Sequence, residues 1–184
     1  ENEIFNIPFS MEIFFNEDKS EIFSNININL INLKIENKLS LNEDKKIGKV
    51  KFFLNKSKQI ADYKIEKNSL KFYLFDKKDQ PSSTYKGDFY FKPFYSIIEG
   101  EVDELNLNLL FGSNAIVAQL LKTEILNNKN IDFKFNIKAD RILNNFYFRD
   151  INFKSKIQDG LIDTDKTEFK WKNFADFELL QSLI

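Results

Sequence analysis

Ile131-Asp132-Phe133-Lys134-Phe135-Asn136-Ile137 alternates apolar and polar side chains at every step, the period of a β-strand and not of a helix. One side of such a strand is greasy and the other wet. The same period runs through Ile26-Asn27-Ile28-Asn29-Leu30, slips by one at Ile31-Asn32, and resumes from Leu33-Lys34-Ile35 towards Leu39 and Leu41. A single slipped residue inside a long strand predicts a β-bulge. Leu105-Asn106-Leu107-Asn108-Leu109 alternates equally cleanly, and Val50 to Leu54 and Leu70 to Leu74 add further strands. Tyr85 to Phe91 runs into Pro93, which should end or offset that strand. Phe146 to Phe148, Ile151 to Phe153 and Ile157 lead to Asp159-Gly160, a hairpin-turn dipeptide, and the return passes through Leu161 to Asp163, then Phe169 and Trp171.

One segment breaks the pattern. Ile116, Val117, Leu120, Leu121 and Ile125 follow helical spacing, Ser113 offers an N-cap and Asn127-Asn128 a stop. An amphipathic helix near 113–127 is predicted, crossing between a strand block at 1–111 and another at 131–184. The fold class is mainly β, with about ten long antiparallel strands. Five Gly and three Pro provide poorly for tight barrel corners, which favours a curved, open sheet. The helix would span roughly 22 Å, against about 48 Å for ten strands side by side. A second sheet layer or a non-protein occupant must cover the remainder.

Composition removes several functions. The 27 basic and 28 acidic residues leave a formal charge of -1, so no field is available to neutralise phosphates. Only Arg141 and Arg149 are arginines, which further disfavours nucleic acid as a partner. Cys and His are absent, excluding disulfides, thiolate or imidazole metal ligation, and the usual nucleophile–base pairs. No enzyme is expected, and no catalytic residue, metal or cofactor is assigned. Asp159, Asp163, Asp165 and Glu168 are spaced wrongly for a calcium loop and read as a solvated hairpin edge. Asp103-Glu104 and Glu17-Asp18 read as turn acids rather than a glycosidase pair, and Lys45-Lys46 and Lys77-Lys78 as turn charges that protect strand edges. Trp171, the single Trp, reads as core, with a membrane interface as the alternative. The chain opens on Glu1 and closes on an apolar Leu179 to Ile184, so residues 1–184 are expected to be one β-rich segment of a larger protein.

Residues Tyr85 to Trp171 resemble the AsmA-like family of Gram-negative envelope proteins, of the YhdP and TamB type. The resemblance is carried by Gly87-Asp88-Phe89-Tyr90-Phe91-Lys92-Pro93-Phe94, by Gly100 to Leu107, and by Ile131 to Ala139. Leu143 to Ile151 and Ile157-Gln158-Asp159-Gly160-Leu161-Ile162 complete it. It implies a periplasmic protein tethered to the inner membrane, whose sheet curls into a taco-like groove with an apolar lining. It also implies phospholipid movement between inner and outer membranes and a part in outer-membrane assembly. Phospholipid acyl chains are the implied partner, beside envelope proteins. The expected groove lining is Ile26, Ile28, Leu30, Phe89, Phe91, Leu105, Leu107, Leu109, Phe133, Phe135 and Ile137. Two other readings of the same alternation stay open: a closed β-sandwich acting as a structural or interaction module, and an outer-membrane barrel, which Ile184 and the Pro-interrupted strand count against.

Overall fold

The computed structural model describes residues 2–4, 7–42, 45–54, 57–75, 84–107 and 132–183. Among these, fourteen strands build one open, mixed sheet, more than the ten expected from alternation. The first half holds β1 (Asn2–Ile4), β2 (Ile7–Asn16), β3 (Glu21–Ile28), β4 (Leu33–Asn42), β5 (Lys45–Leu54), β6 (Ser57–Ile65) and β7 (Ser69–Phe75). The second holds β8 (Thr84–Phe91), β9 (Phe94–Leu105), β10 (Asp132–Ile142), β11 (Asn145–Gln158), β12 (Leu161–Asp163), β13 (Glu168–Trp171) and β14 (Ala175–Glu178). Spatial order follows chain order, except that β12 pairs β11 off the main path while β13 follows β11 within it.

Turn chemistry explains this meander. Asn32 and Asn144 take left-handed backbone at φ 50 and 62, as do Asp159 and Gly160 at φ 53 and 80. Asn, Asp and Gly tolerate that region at least cost. The Asp159-Gly160 hairpin and the strand break at Pro93 stand as expected. Three expectations are corrected. Ile26 to Leu41 is not one bulged strand: the slip at Ile31-Asn32 is a reversal, a 3-10 turn at Asn29–Ile31 closed by Asn32 in the left-handed region, and β3 and β4 pair antiparallel across it. The strand expected from Leu105 does not begin there, because β9 ends at Leu105 and Asn106 and Leu107 already lie beyond it, while residues 108 and 109 fall outside the described residues. Nor is the sheet wholly antiparallel, since β9 and β10 run parallel from Ser96↔Phe133 to Leu105↔Ile142. Two parallel neighbours need a crossover of a dozen residues or more, and residues 106–131 span it. The helix expected at 113–127 falls outside the described residues.

Substantial packing runs only between strands adjacent in the ladder and between β2 and its neighbouring 3-10 turn. Among the described residues the sheet is therefore a single layer. Its densest cluster sits where β9, β10 and β11 meet: Val102, Leu105, Ile137, Ala139 and Ile151 are buried, with Tyr85, Ile142, Phe153 and Phe169 packed against them. Parallel strands depend most on cover, so the core falling on the parallel pair makes physical sense.

Candidate functional site: an apolar sheet face

Directly paired residues in a ladder share a face, and the register therefore sorts the whole sheet. Ile26 pairs with Met11 and Ile35, Ile35 with Phe52, and Phe52 with Gln59. Two residues along β6, Ala61 pairs with Leu74, and Leu70 of the same face pairs with Phe89. Phe89 faces Ser96, which faces Phe133, which faces Ile157. Ile26, Ile28, Phe89, Phe91, Phe133, Phe135 and Ile137, far apart in sequence, thus lie on one face. Of these, Ile137 is buried in the core cluster, as is Leu105 among the other expected lining residues. Leu30 sits in the 3-10 turn and Leu107 just past β9, both exposed. Leu109 lies outside the described residues.

Rings organise this face. Phe72 stacks on Phe89 at 5.4 Å between centroids, Phe94 meets Phe133 edge-on at 5.8 Å, and Phe133 stacks on Phe135 at 5.9 Å. Such offset and edge contacts are the favoured aromatic geometries. Three glycines make a second device. Gly48 lies opposite Tyr63, Gly87 opposite Phe72 and Gly100 opposite Tyr85, and in each pair the ring occupies the space a Cβ would take. At Gly87 a Cβ would come 2.5 Å from Phe72 and 2.6 Å from the Ile97 carbonyl oxygen; at Gly100 it would come 2.7 Å from Tyr85. The rings lie down on the sheet instead of standing from it. The lining is lowered there without exposing backbone.

One polar relay interrupts the greasy surface. The Tyr63 hydroxyl donates to Asn37 Oδ1 at 2.6 Å, and Asn37 Nδ2 donates to Ser24 Oγ at 3.2 Å. Burial pushes the Tyr63 phenol above its ordinary value, and its bond to Asn37 opposes that rise. Ser96 is fully buried between Phe89 and Phe133, and among the described residues its hydroxyl has no partner.

The opposite face is charged. Glu36 holds Lys34 at 2.9 Å and Lys51 at 3.7 Å, Glu21 holds Lys38 at 2.8 Å, and Glu99 holds Lys86 at 2.9 Å. The hydrogen bond from Lys34, followed by the charges of Lys34, Lys51 and Lys58, keeps the Glu36 carboxyl below its ordinary range. Lys38 also sits 5.6 Å over Phe23, and Lys34 5.7 Å over Phe53, so these two rings on this side lie under lysine. A depression of about 550 Å³ opens here, lined in part by Asp62, Lys64, Lys71 and Lys86. Its lysines already have partners: Lys64 and Lys71 hold Glu66, and Lys86 holds Glu99.

The chain matches no family model, no curated protein and no solved structure. What can be said of its site rests on its own geometry. Asp163 Oδ1 accepts from the Asp165 N–H, and Asp165 Oδ1 from the Ser182 N–H, both at 2.7 Å. Glu168 accepts from Asn152 and lies 3.7 Å from Lys154. Asp165 thereby ties the β12–β13 turn to the C-terminal segment, while Glu168 ties β13 to β11. Glu104 engages Arg141 at 2.7 Å. Lys45 and Lys46, expected in a turn, begin β5 instead, opposite Asn42 and Leu41. The glycine–aromatic pairs escaped sequence reading because they are set by register, and no spacing within a single strand announces them.

Proposed function

We propose that the apolar face holds or conducts phospholipid acyl chains while the head groups stay in water. The observation that carries this reading is the register, which puts Ile26, Ile28, Phe89, Phe91, Phe133, Phe135 and Ile137 on one face of a single-layered sheet. An apolar surface of this extent is unfavourable bare in water and calls for an occupant. Acyl chains suit it because they need no polar partner. A chain lying on an open face loses about half its water contact, gaining roughly 0.4 kcal/mol per methylene, half the value for full burial. That gain is spread evenly along the face, so a lipid is held without being pinned. Flattened rings over Gly48, Gly87 and Gly100 favour sliding by removing steps. On this reading the sheet curls around its lipid as an open groove, and the AsmA-like resemblance makes the periplasm, between inner and outer membranes, its setting.

The test is transfer of a fluorescent phospholipid between donor and acceptor vesicles by the 184-residue chain. Phe135→Asp and Phe133→Arg should abolish transfer, whereas Lys138→Ser on the charged face should leave it unchanged. Normal transfer by a folded Phe135→Asp variant would sink the proposal. A face already covered by a second copy, seen as a dimer that excludes lipid, would favour the structural-module reading instead.

A further inference from the structure

Two neighbouring turns close one end of the sheet: Leu143-Asn144 between β10 and β11, and Lys172 to Phe174 between β13 and β14. They are tied together. The Lys172 N–H donates to the Tyr147 carbonyl at 2.8 Å, the Arg149 guanidinium donates to the Asn173 side-chain oxygen, and Phe148 pairs with Trp171. In or beside these turns Phe146 is 84% exposed, Phe174 74%, Tyr147 55% and Trp171 43%. Single exposed apolar residues are ordinary. Four aromatics in or beside adjoining turns, with Trp171 and Phe174 in ring contact at 5.6 Å, form a patch that calls for a partner.

Charge is distributed unevenly around the patch. From Ile142 to Arg149 and from Trp171 to Ala175 there is no Asp or Glu, and the charged residues are Arg149 and Lys172. Lys172 Nζ lies 4.4 Å from the centre of the Tyr147 ring. The acids Asp140, Asp150 and Asp176 come only beyond these segments, and Asp150 is engaged by Lys170 at 3.0 Å. Along these two segments only rings, cations and asparagines accompany the aliphatic residues, and the carboxylates follow outside them.

We infer that this end of the sheet docks on the surface of an anionic phospholipid bilayer. Apolar rings enter the boundary between head groups and acyl chains, Trp and Tyr settle at the head-group level, and lysine and arginine draw in anionic lipid. A protein partner would more naturally be met by charges of both signs at the rim. The docking tip is distinct from the acyl-chain lining and stands or falls separately from it.

Trp171 is the only tryptophan, so tryptophan emission, excited selectively over the tyrosines, reports on the tip alone. With vesicles of phosphatidylcholine and phosphatidylglycerol, its emission should move to shorter wavelength and be quenched by lipids brominated on the acyl chain. Phe146→Ser with Phe174→Ser removes the two most exposed rings of the patch, and should weaken vesicle binding by about tenfold or more. Lys172→Gln should weaken it about fivefold, and only for vesicles containing phosphatidylglycerol. An emission spectrum indifferent to vesicles of either composition would overturn the inference. So would the same shift produced by a short-chain phosphatidylcholine kept below micelle concentration, which points to monomeric lipid on the apolar face. A shift that follows protein concentration without vesicles would assign the patch to a second copy of the chain and also refute bilayer docking.

Discussion

Replacing Gly48 by alanine tests the idea that rings lie flat on this sheet, and the structure supplies the magnitude. A Cβ at Gly48 would fall within the Tyr63 ring, so the ring must leave. Tyr63 is 8% exposed, and giving up that burial costs about 2 kcal/mol. Losing its 2.6 Å bond to Asn37 costs about 1 kcal/mol more. Against this, alanine restricts the unfolded chain and returns roughly 0.7 kcal/mol. Gly48→Ala should therefore destabilise by about 2 kcal/mol in sum. In a Tyr63→Ala background the ring is gone, and the same substitution should stabilise by about 0.7 kcal/mol. The coupling is then close to 3 kcal/mol, far above the additivity error of distant sites. Urea denaturation of the four proteins, followed by circular dichroism, measures it through the shift in midpoint at constant slope. If Gly48→Ala costs the same with and without Tyr63, the ring does not depend on the missing Cβ and the flat-ring account is wrong.

Acid should act through the charged face. Glu36, Glu66 and Glu168 are held below the ordinary 4.5, chiefly by hydrogen bonds from Lys34, from Lys64 and Lys71, and from Asn152, respectively. A depressed carboxyl contributes stability that is present above its unfolded value and lost as pH falls through its folded one. The urea midpoint should stay level between neutrality and about pH 5 and drop below about 4.5; a midpoint rising on acidification contradicts the pairing. In alkali the sign reverses. Tyr63 titrates above 10.0 in the folded chain, so its contribution is intact below 10 and lost as pH climbs through the folded value. Tyr63→Phe should lessen the alkaline loss of stability, and an unchanged alkaline slope would refute this. Ser96→Ala removes a fully buried hydroxyl that has no partner among the described residues and should stabilise by about 1 kcal/mol; a loss of stability in thermal melts would refute this.

How far the sequence can be read depends on what each strand shows of itself. β10 and the β11–β12 hairpin are legible because Phe133, Phe135 and Ile137 alternate with wet neighbours and Asp159-Gly160 fits only a tight turn. β9 is hidden: on its apolar face Ser96 and Gly100 stand where large side chains would announce a strand, since the rings covering those positions come from β8 and β10. β2 is hidden for the opposite reason. Met11, Ile13, Phe14 and Phe15 are all exposed, so both of its faces carry apolar residues and the alternation is lost. The reversal at Asn32 resembles a bulge because each shifts the pattern by one, and only the backbone angle separates them. Strand direction leaves no trace in alternation, so the parallel β9–β10 pair could not be foreseen. The candidate face was legible as a set of residue types, while their common side became visible only through the ladder register.

Because every strand leans almost entirely on its two neighbours, the molecule behaves as a nearly one-dimensional array, in which stability is a sum of unit and nearest-neighbour terms. A hairpin inserted between two others would have to satisfy only the pair it separates. Span along the sheet can then change by whole hairpins, without redesign of a shared centre. The parallel β9–β10 junction is the exception. It carries the densest cluster and depends on a long return of chain, so it is the seam least able to tolerate such an insertion.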